Sequence, residues 1–176
     1  LVYKIDSGDR CLGRHEARVG IYWIDLAGGE RNYVTGTGDP PMFSPDGRRI
    51  YFAVSYYVNH ATVTSLVSVD LSGQDRRVHV TTRDADTSEL RPSPDLRWIA
   101  FRDRQQYYVA RYREAGLAFV LDATGESLPV ARVSDIGGYG LTWSADSTRA
   151  HWAVGEKLQS ATVGDRFGPS APAPIV

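Results

Sequence analysis

Four histidines, one cysteine and three regularly spaced aspartates are the residues of this 176-residue chain best suited to chemistry. Cys11 has His15 as a sequence neighbour, but a thiolate nucleophile needs a base held against it, and proximity in sequence does not supply that. His15-Glu16 begins like the zinc motif of a metalloprotease, which requires a second histidine where this chain has Val19. His60, His79 and His151 are far apart in sequence, so a metal site would have to be assembled across strands. Exposed or packed histidines are the expectation. Asp46, Asp95 and Asp146 each follow a serine (Ser44, Ser93, Ser144) by two positions. A ring of three carboxylates could bind calcium, but a simpler role is available to each: accepting backbone hydrogen bonds within its own turn. No nucleophile elbow and no P-loop occurs, and Gly36–Pro41 (GTGDPP) lacks the last glycine and the strand–helix setting of a dinucleotide site. The sequence therefore predicts no catalytic, metal-binding or cofactor-binding residue, and no hydrolysis of amides or peptides by this chain.

The bulk properties agree with an ordinary globular chain. Hydrophobic residues make up 42% and charged residues 23%, enough to build a core, and the net charge of −1 gives no field to gather nucleic acid or anionic membrane. The arginines are scattered rather than collected in a run, which argues against nucleic-acid binding. There is no apolar run of about 18 residues to span a membrane and no signal peptide pattern. The opening LVYKID is already strand-like and lacks methionine, so the chain is expected to be cut from a longer protein.

The elements that must position these residues are announced by a repeat. FSPDGRRIYF (Phe43–Phe52) returns as PSPDLRWIAF (Pro92–Phe101) and WSADSTRAHW (Trp143–Trp152), at a period of about fifty residues. In the best copy Ser44-Pro45-Asp46-Gly47 suits a type I turn: Pro45 presets φ, Asp46 tolerates the bridge region and Gly47 frees the exit. Ser93-Pro94-Asp95 and Ser144 with Asp146 keep the serine and the aspartate while losing the glycine, to Leu96 and Ser147. That decay suits a structural turn rather than a catalytic motif. The following residues, such as Arg49–Val54, are rich in β-branched and aromatic types, as a half-buried strand should be. A second hallmark, an apolar run ending in Asp and a turn glycine, appears as IYWIDLAGG, LVSVDLSG and AFVLDATG. Each is followed by a short strand (RNYVT, RRVHVTT, PVARVS).

Strand, SPDG turn, strand, loop, strand, DLxG turn, strand is the order of a four-stranded antiparallel propeller blade. The sequence thus predicts an all-β β-propeller of about four four-stranded antiparallel blades forming an arc or partial ring, with little helix; Arg111–Ala115 is too short to be one. The expected blades are about 1–38, 39–88, 89–137 and 138–165, the first lacking its SPDG strand and the fourth incomplete, followed by a Pro/Ala-rich tail at 166–176.

The SPDG turn followed by RRIYF, together with IYWIDL and LVSVDL, resembles the TolB-type propeller repeat, found in the periplasmic TolB protein and in propellers of tricorn-like and prolyl-oligopeptidase-like proteases. The likeness covers about residues 1–165. The second half, from RRVHVTT through ELRPSPDLRWIAFRD to LTWSADSTRAHWAVG, is similar to the propeller that precedes the metal-dependent barrel of large TolB-like amidohydrolases. In those proteins an HxH motif in a downstream domain holds the metal. This chain has no HxH, so no catalytic residue carries over. The resemblance implies a periplasmic or secreted location.

Trp23, Trp98, Trp143 and Trp152 fall at strand positions and are expected between blades. Tyr56, Tyr57, Tyr107 and Tyr108 are expected after inner strands and before loops, where propellers bind ligands, and form the candidate binding face. Three functional classes follow: a non-catalytic propeller module for protein interaction or substrate gating attached to a hydrolase, a stand-alone TolB-like scaffold that binds a protein partner, and a propeller-channel enzyme with metal-bound histidines. The partner would be a protein or another domain of the parent, with self-association through open blade faces.

Overall fold

A computed structural model describes residues 1–6, 18–82, 86–114, 116–125 and 128–167. Cys11, His15, Glu16 and the tail beyond 167 lie outside the described residues. The described residues form fifteen strands and one short 3₁₀ turn at Gly164–Arg166.

The strands gather into four successive sheets. Blade 1 holds β1 (Val2–Ile5), β2 (Gly20–Trp23) and β3 (Asn32–Thr35). Blade 2 holds β4 (Asp39–Phe43), β5 (Arg49–Val58), β6 (Ala61–Asp70) and β7 (Arg77–Thr82). Blade 3 holds β8 (Thr87–Pro92), β9 (Trp98–Asp103) and β10 (Gln106–Arg111), with β12 (Val130–Arg132) outermost. Blade 4 holds β13 (Tyr139–Trp143), β14 (Arg149–Val154) and β15 (Lys157–Thr162). All these neighbours pair antiparallel.

The remaining strand, β11 (Phe119–Leu121), departs from the sequence reading. AFVLDATG was expected as the third strand of blade 3. That position is taken by β10, which follows β9 across a tight turn at Arg104 (φ 51°) and pairs with it from Gln106↔Asp103 to Arg111↔Trp98. With no free edge left beside β9, β11 crosses back to blade 2. It pairs in parallel with β7, Phe119 opposite Val80 and Leu121 opposite Thr82, and covers that blade's outer edge. Blade 2 is therefore five-stranded, blade 3 four-stranded, and the end blades three-stranded.

Three hydrophobic clusters hold the blades together, one at each junction. Ile21 and Val34 of blade 1 meet Ile50, Phe52, Val67 and Val69 of blade 2. Tyr51, Leu66 and Val80 meet Leu90, Ile99 and Phe101 of blade 3. Ala100, Tyr107 and Val109 meet Leu141, Ala150 and Trp152 of blade 4. The repeat explains the pattern. Strand side chains alternate between faces, and Ile50/Phe52, Ile99/Phe101 and Ala150/Trp152 occupy equivalent positions that each face the preceding blade. The residue between, Tyr51 or Ala100, faces the following one. No cluster joins blade 4 to blade 1 among the described residues, so the four blades form an arc.

The three SPDG-type turns share one network. The serine hydroxyl donates to the aspartate Oδ1, at 2.5 Å for Ser44–Asp46 and 2.6 Å for both Ser93–Asp95 and Ser144–Asp146. The same serine oxygen accepts the N–H that opens the next strand, from Arg49, Trp98 and Arg149. The aspartate Oδ1 accepts the N–H of Arg48, Arg97 or Thr148. Gly47, Leu96 and Ser147 all take positive φ (69°, 57° and 62°), where a side chain is strained. The two side chains found there have neighbours that glycine would lack. Leu96 packs on the blade 2–blade 3 core, and Ser147 Oγ accepts the N–H of Asp95 across the blade 3–blade 4 junction at 3.1 Å. A Cβ on Gly47 would meet nothing. The decay of the motif follows the contacts its turns make.

Candidate functional site

The serines of these turns fix the chemistry of the aspartates. The Ser44 hydroxyl and the Arg48 N–H hold Asp46 below the usual carboxylate range, and the Ser144 hydroxyl with the Thr148 N–H and hydroxyl holds Asp146 down to about 2. Burial works against the charge of Asp95, but Ser93, the Arg97 N–H and Ser147 outweigh it and its pKa is also lowered. Each carboxylate is committed to the hydrogen bonds of its turn, and Asp95 also to Ser147 of the next blade. Among the described residues no group of three or more His, Cys, Asp or Glu stands ready to hold a metal.

The four tyrosines are not brought to one face. Tyr56 and Tyr57 are exposed and lie within β5 rather than after it; the Tyr56 hydroxyl pairs with Ser65 Oγ at 2.8 Å and Tyr57 sits edge-on to His60. Tyr107 and Tyr108 lie on β10 and point in opposite directions. Tyr107 is fully buried against Trp152, and Tyr108 stacks on Phe101 at 5.5 Å. Tyr107 offers no surface to a ligand. The tryptophans pack at the junctions: Trp23 donates Nε1–H to the Leu71 carbonyl and Trp143 donates to the Arg91 carbonyl.

Two polar centres were not visible in the sequence. The first is Glu89, in a positive-φ bulge (φ 50°) of β8. It accepts hydrogen bonds from the Tyr107 hydroxyl at 3.1 and 3.2 Å and from the Leu141 N–H at 2.8 Å, and pairs with Arg102 at 3.2 Å. Arg102 in turn donates to the Gly138 carbonyl at 3.0 Å. Gly137 permits this approach, since a Cβ there would collide with the Gln105 carbonyl oxygen of blade 3, and Gly138 lets the same segment lie against Ala153 of β14. GGYG with Leu141 is thus a docking strap, held to blade 3 by Arg102 at Gly138 and by Glu89 at Leu141.

The second centre joins Ser68, His79 and Glu114. His79 Nε2 lies 2.7 Å from Ser68 Oγ and Nδ1 lies 3.9 Å from Glu114 Oε1, the order of a hydrolytic triad. The surroundings disable it. Ser68 is fully buried in mid-strand, with Arg49 Nε–H donating to its oxygen at 2.9 Å, so no electrophile reaches Oγ. The group joins β6, β7 and the segment after β10. His79 stacks on Tyr51 at 4.8 Å and lies edge-on to Tyr112.

Burial holds the pKa of His79 below 6.5, with Glu114 opposing and Arg49 and Arg77 adding to the depression. Between its folded pKa and the unfolded value of about 6.5 the unfolded chain binds the extra proton, so stability rises with pH in that window. It is complete above pH about 6.5 and is lost as pH falls below it. The turn aspartates contribute only below pH about 4. Thermal melts should therefore give a lower midpoint at pH 5.5 than at pH 7.5, and His79→Gln should reduce that difference. An unchanged difference in the variant would contradict the assignment.

No family model matches the chain, and no curated protein matches it. Among solved structures the chain is similar to the crystal structure of TolB from Acinetobacter baumannii, with a TM-score of 0.52 and 25% sequence identity over 81% of this chain. The match spans 34% of the TolB chain, about a third of its length. The fold is TolB-like.

Proposed function

We propose that this chain is a non-catalytic β-propeller segment that works as a protein-interaction or substrate-gating module, with its open blade faces as the contact surfaces. One observation carries the reading. Tyr51 and Ala100 face the blade that follows their own, and the equivalent residue of blade 4, His151, belongs to a face with no blade against it among the described residues. The register places Tyr139, Ala153 and Leu158 on the same face, where Tyr139 is 60% and Leu158 74% exposed. The same face carries the polar Arg149, His151, Ser160 and Thr162, and a mixed sheet face left open in this way is a contact surface. The disabled Ser68–His79–Glu114 group, the dispersed histidines and the committed turn aspartates support a module without chemistry of its own.

Further blades of a larger parent are the natural occupants of the open face, and the span of about a third of TolB supports this. The resemblance of the second half to amidohydrolase propellers favours a parent whose metal chemistry lies in another domain. The likeness to TolB favours a second reading, a periplasmic scaffold that binds a protein partner. In the absence of its partner the chain should self-associate. Sedimentation velocity at roughly 50 µM, far above the Kd of a micromolar complex, should show species larger than the monomer, reduced by Leu158→Asp with Tyr139→Asp. A compact monomer at that concentration would overturn the open-face reading.

A further inference from the structure

A cleft of about 620 Å³ belongs to neither end blade. Trp98, Arg111, Tyr112, Arg113, Phe119 and Leu128 line it, and Arg97 closes one side. It forms because β12 pairs with β10 only as far as Ala110↔Val130, so β10 runs on through Arg111 without a strand on its outer side. β11, drawn away to blade 2, supplies Phe119 to the opposite wall.

The charges in this cleft are unbalanced. Arg97 lies 3.7 Å from Asp95, whereas Arg111 and Arg113 have no carboxylate partner among the described residues. Arg111 lies instead over the rings of Trp98 at 5.5 Å and Phe167 at 5.7 Å, which fixes its guanidinium at the rim. Glu114, the sequence neighbour of Arg113, is turned toward Arg77 and His79. An apolar floor and two uncompensated guanidinium groups together describe a site for a segment that is acidic and carries an apolar anchor.

We propose that the cleft binds an acidic peptide segment of a partner protein, with an aromatic or aliphatic side chain seated on Trp98, Phe119 and Leu128 and flanking carboxylates on Arg111 and Arg113. The peptide backbone runs past Arg111, the last residue of β10, whose outer side carries no strand. The site uses no residue of blades 1 or 4, so its failure and that of the open-face reading are separable. The probe is a fluorescein-labelled octapeptide with a central Phe-Leu flanked by three glutamates on each side. Its counterpart with lysines in place of the glutamates and an eight-nucleotide oligothymidylate serve as competitors. Fluorescence anisotropy should show saturable binding of the acidic peptide that weakens with added salt, is not competed by the other two, and is unchanged in Arg48→Glu. Arg113→Gln should weaken it several-fold, and Arg111→Gln with Arg113→Gln at least about tenfold, as expected for two charge-assisted contacts of about 1 kcal/mol or more each. Both arginines are exposed, so far-ultraviolet circular dichroism and the melting midpoint should stay nearly unchanged. Absence of saturation up to about 1 mM, equal binding of the lysine peptide, preference for the oligonucleotide, or an equal loss in Arg48→Glu would each overturn the proposal.

Discussion

Replacing Phe101 with alanine lowers the stability of the chain by about 3–5 kcal/mol, the cost of deleting a fully buried aromatic ring from a core that cannot collapse around the void. Phe101 is completely inaccessible and sits in the cluster between blades 2 and 3 with Tyr51, Leu66, Leu90, Ile99 and Leu121. Its neighbours come from two sheets, each held by its own ladder, so none moves in freely to fill the space. In a chain of this size the loss corresponds to a fall in Tm of roughly 6 to 20 °C. Its equivalents Phe52 and Trp152 are 3% and 4% exposed at the other two junctions. Phe101 should be the costliest of the three, because its junction is flanked by a blade on both sides. A melt within about 2 °C of the parent, less than 1 kcal/mol, would show that the ring is not held as described.

The position of Phe101 was legible in the sequence for a local reason. The SPDG turn sets the start of the strand within one residue, and the period-2 alternation of a strand then fixes which side chains face which blade. One turn signal thus located Phe52, Phe101 and Trp152 together. The same logic misplaced β11. AFVLDATG and LVSVDLSG are nearly the same words, and nothing within either states which edge it will pair with. Parallel pairing to β7 is a long-range choice made once β10 occupied the expected place. Tyr107 and Tyr108 depart from their expected place before a loop for a related reason: they belong to that unrecognised β10, where alternation buries Tyr107 completely. Glu89 was invisible because TSELRP reads as an unremarkable strand. Its role depends on a bulge and on the backbone of Leu141, fifty-two residues away.

Removing that carboxylate is the second large effect. Glu89→Ala leaves the Leu141 N–H and the buried Tyr107 hydroxyl without their acceptor and removes the charge paired with Arg102. Burial and the Glu89 charge already hold the Tyr107 phenol above its ordinary pKa, so the hydroxyl stays a donor at any working pH and gains nothing from ionising. At about 1–3 kcal/mol for each unsatisfied donor the expected cost is about 2–4 kcal/mol, tempered because the Arg102 side chain is 33% exposed and keeps Ser88 and Gly138 as partners. Glu89→Gln retains an acceptor for one of the two donors and should cost less. The damage should also be local. Blade 4 is a terminal three-stranded sheet, and Glu89 holds its first strand to blade 3, so its loss lowers the free energy of opening blade 4 before that of the rest. Amide exchange at Leu141 and along β13 should accelerate in Glu89→Ala while the blade 1–blade 2 core keeps its protection. Combining Glu89→Ala with Tyr107→Phe should cost less than the sum of the two, because the phenylalanine leaves no hydroxyl to strand. Uniform exchange across all four blades, or strict additivity of the pair, would mean that Glu89 is not the tie between blades 3 and 4.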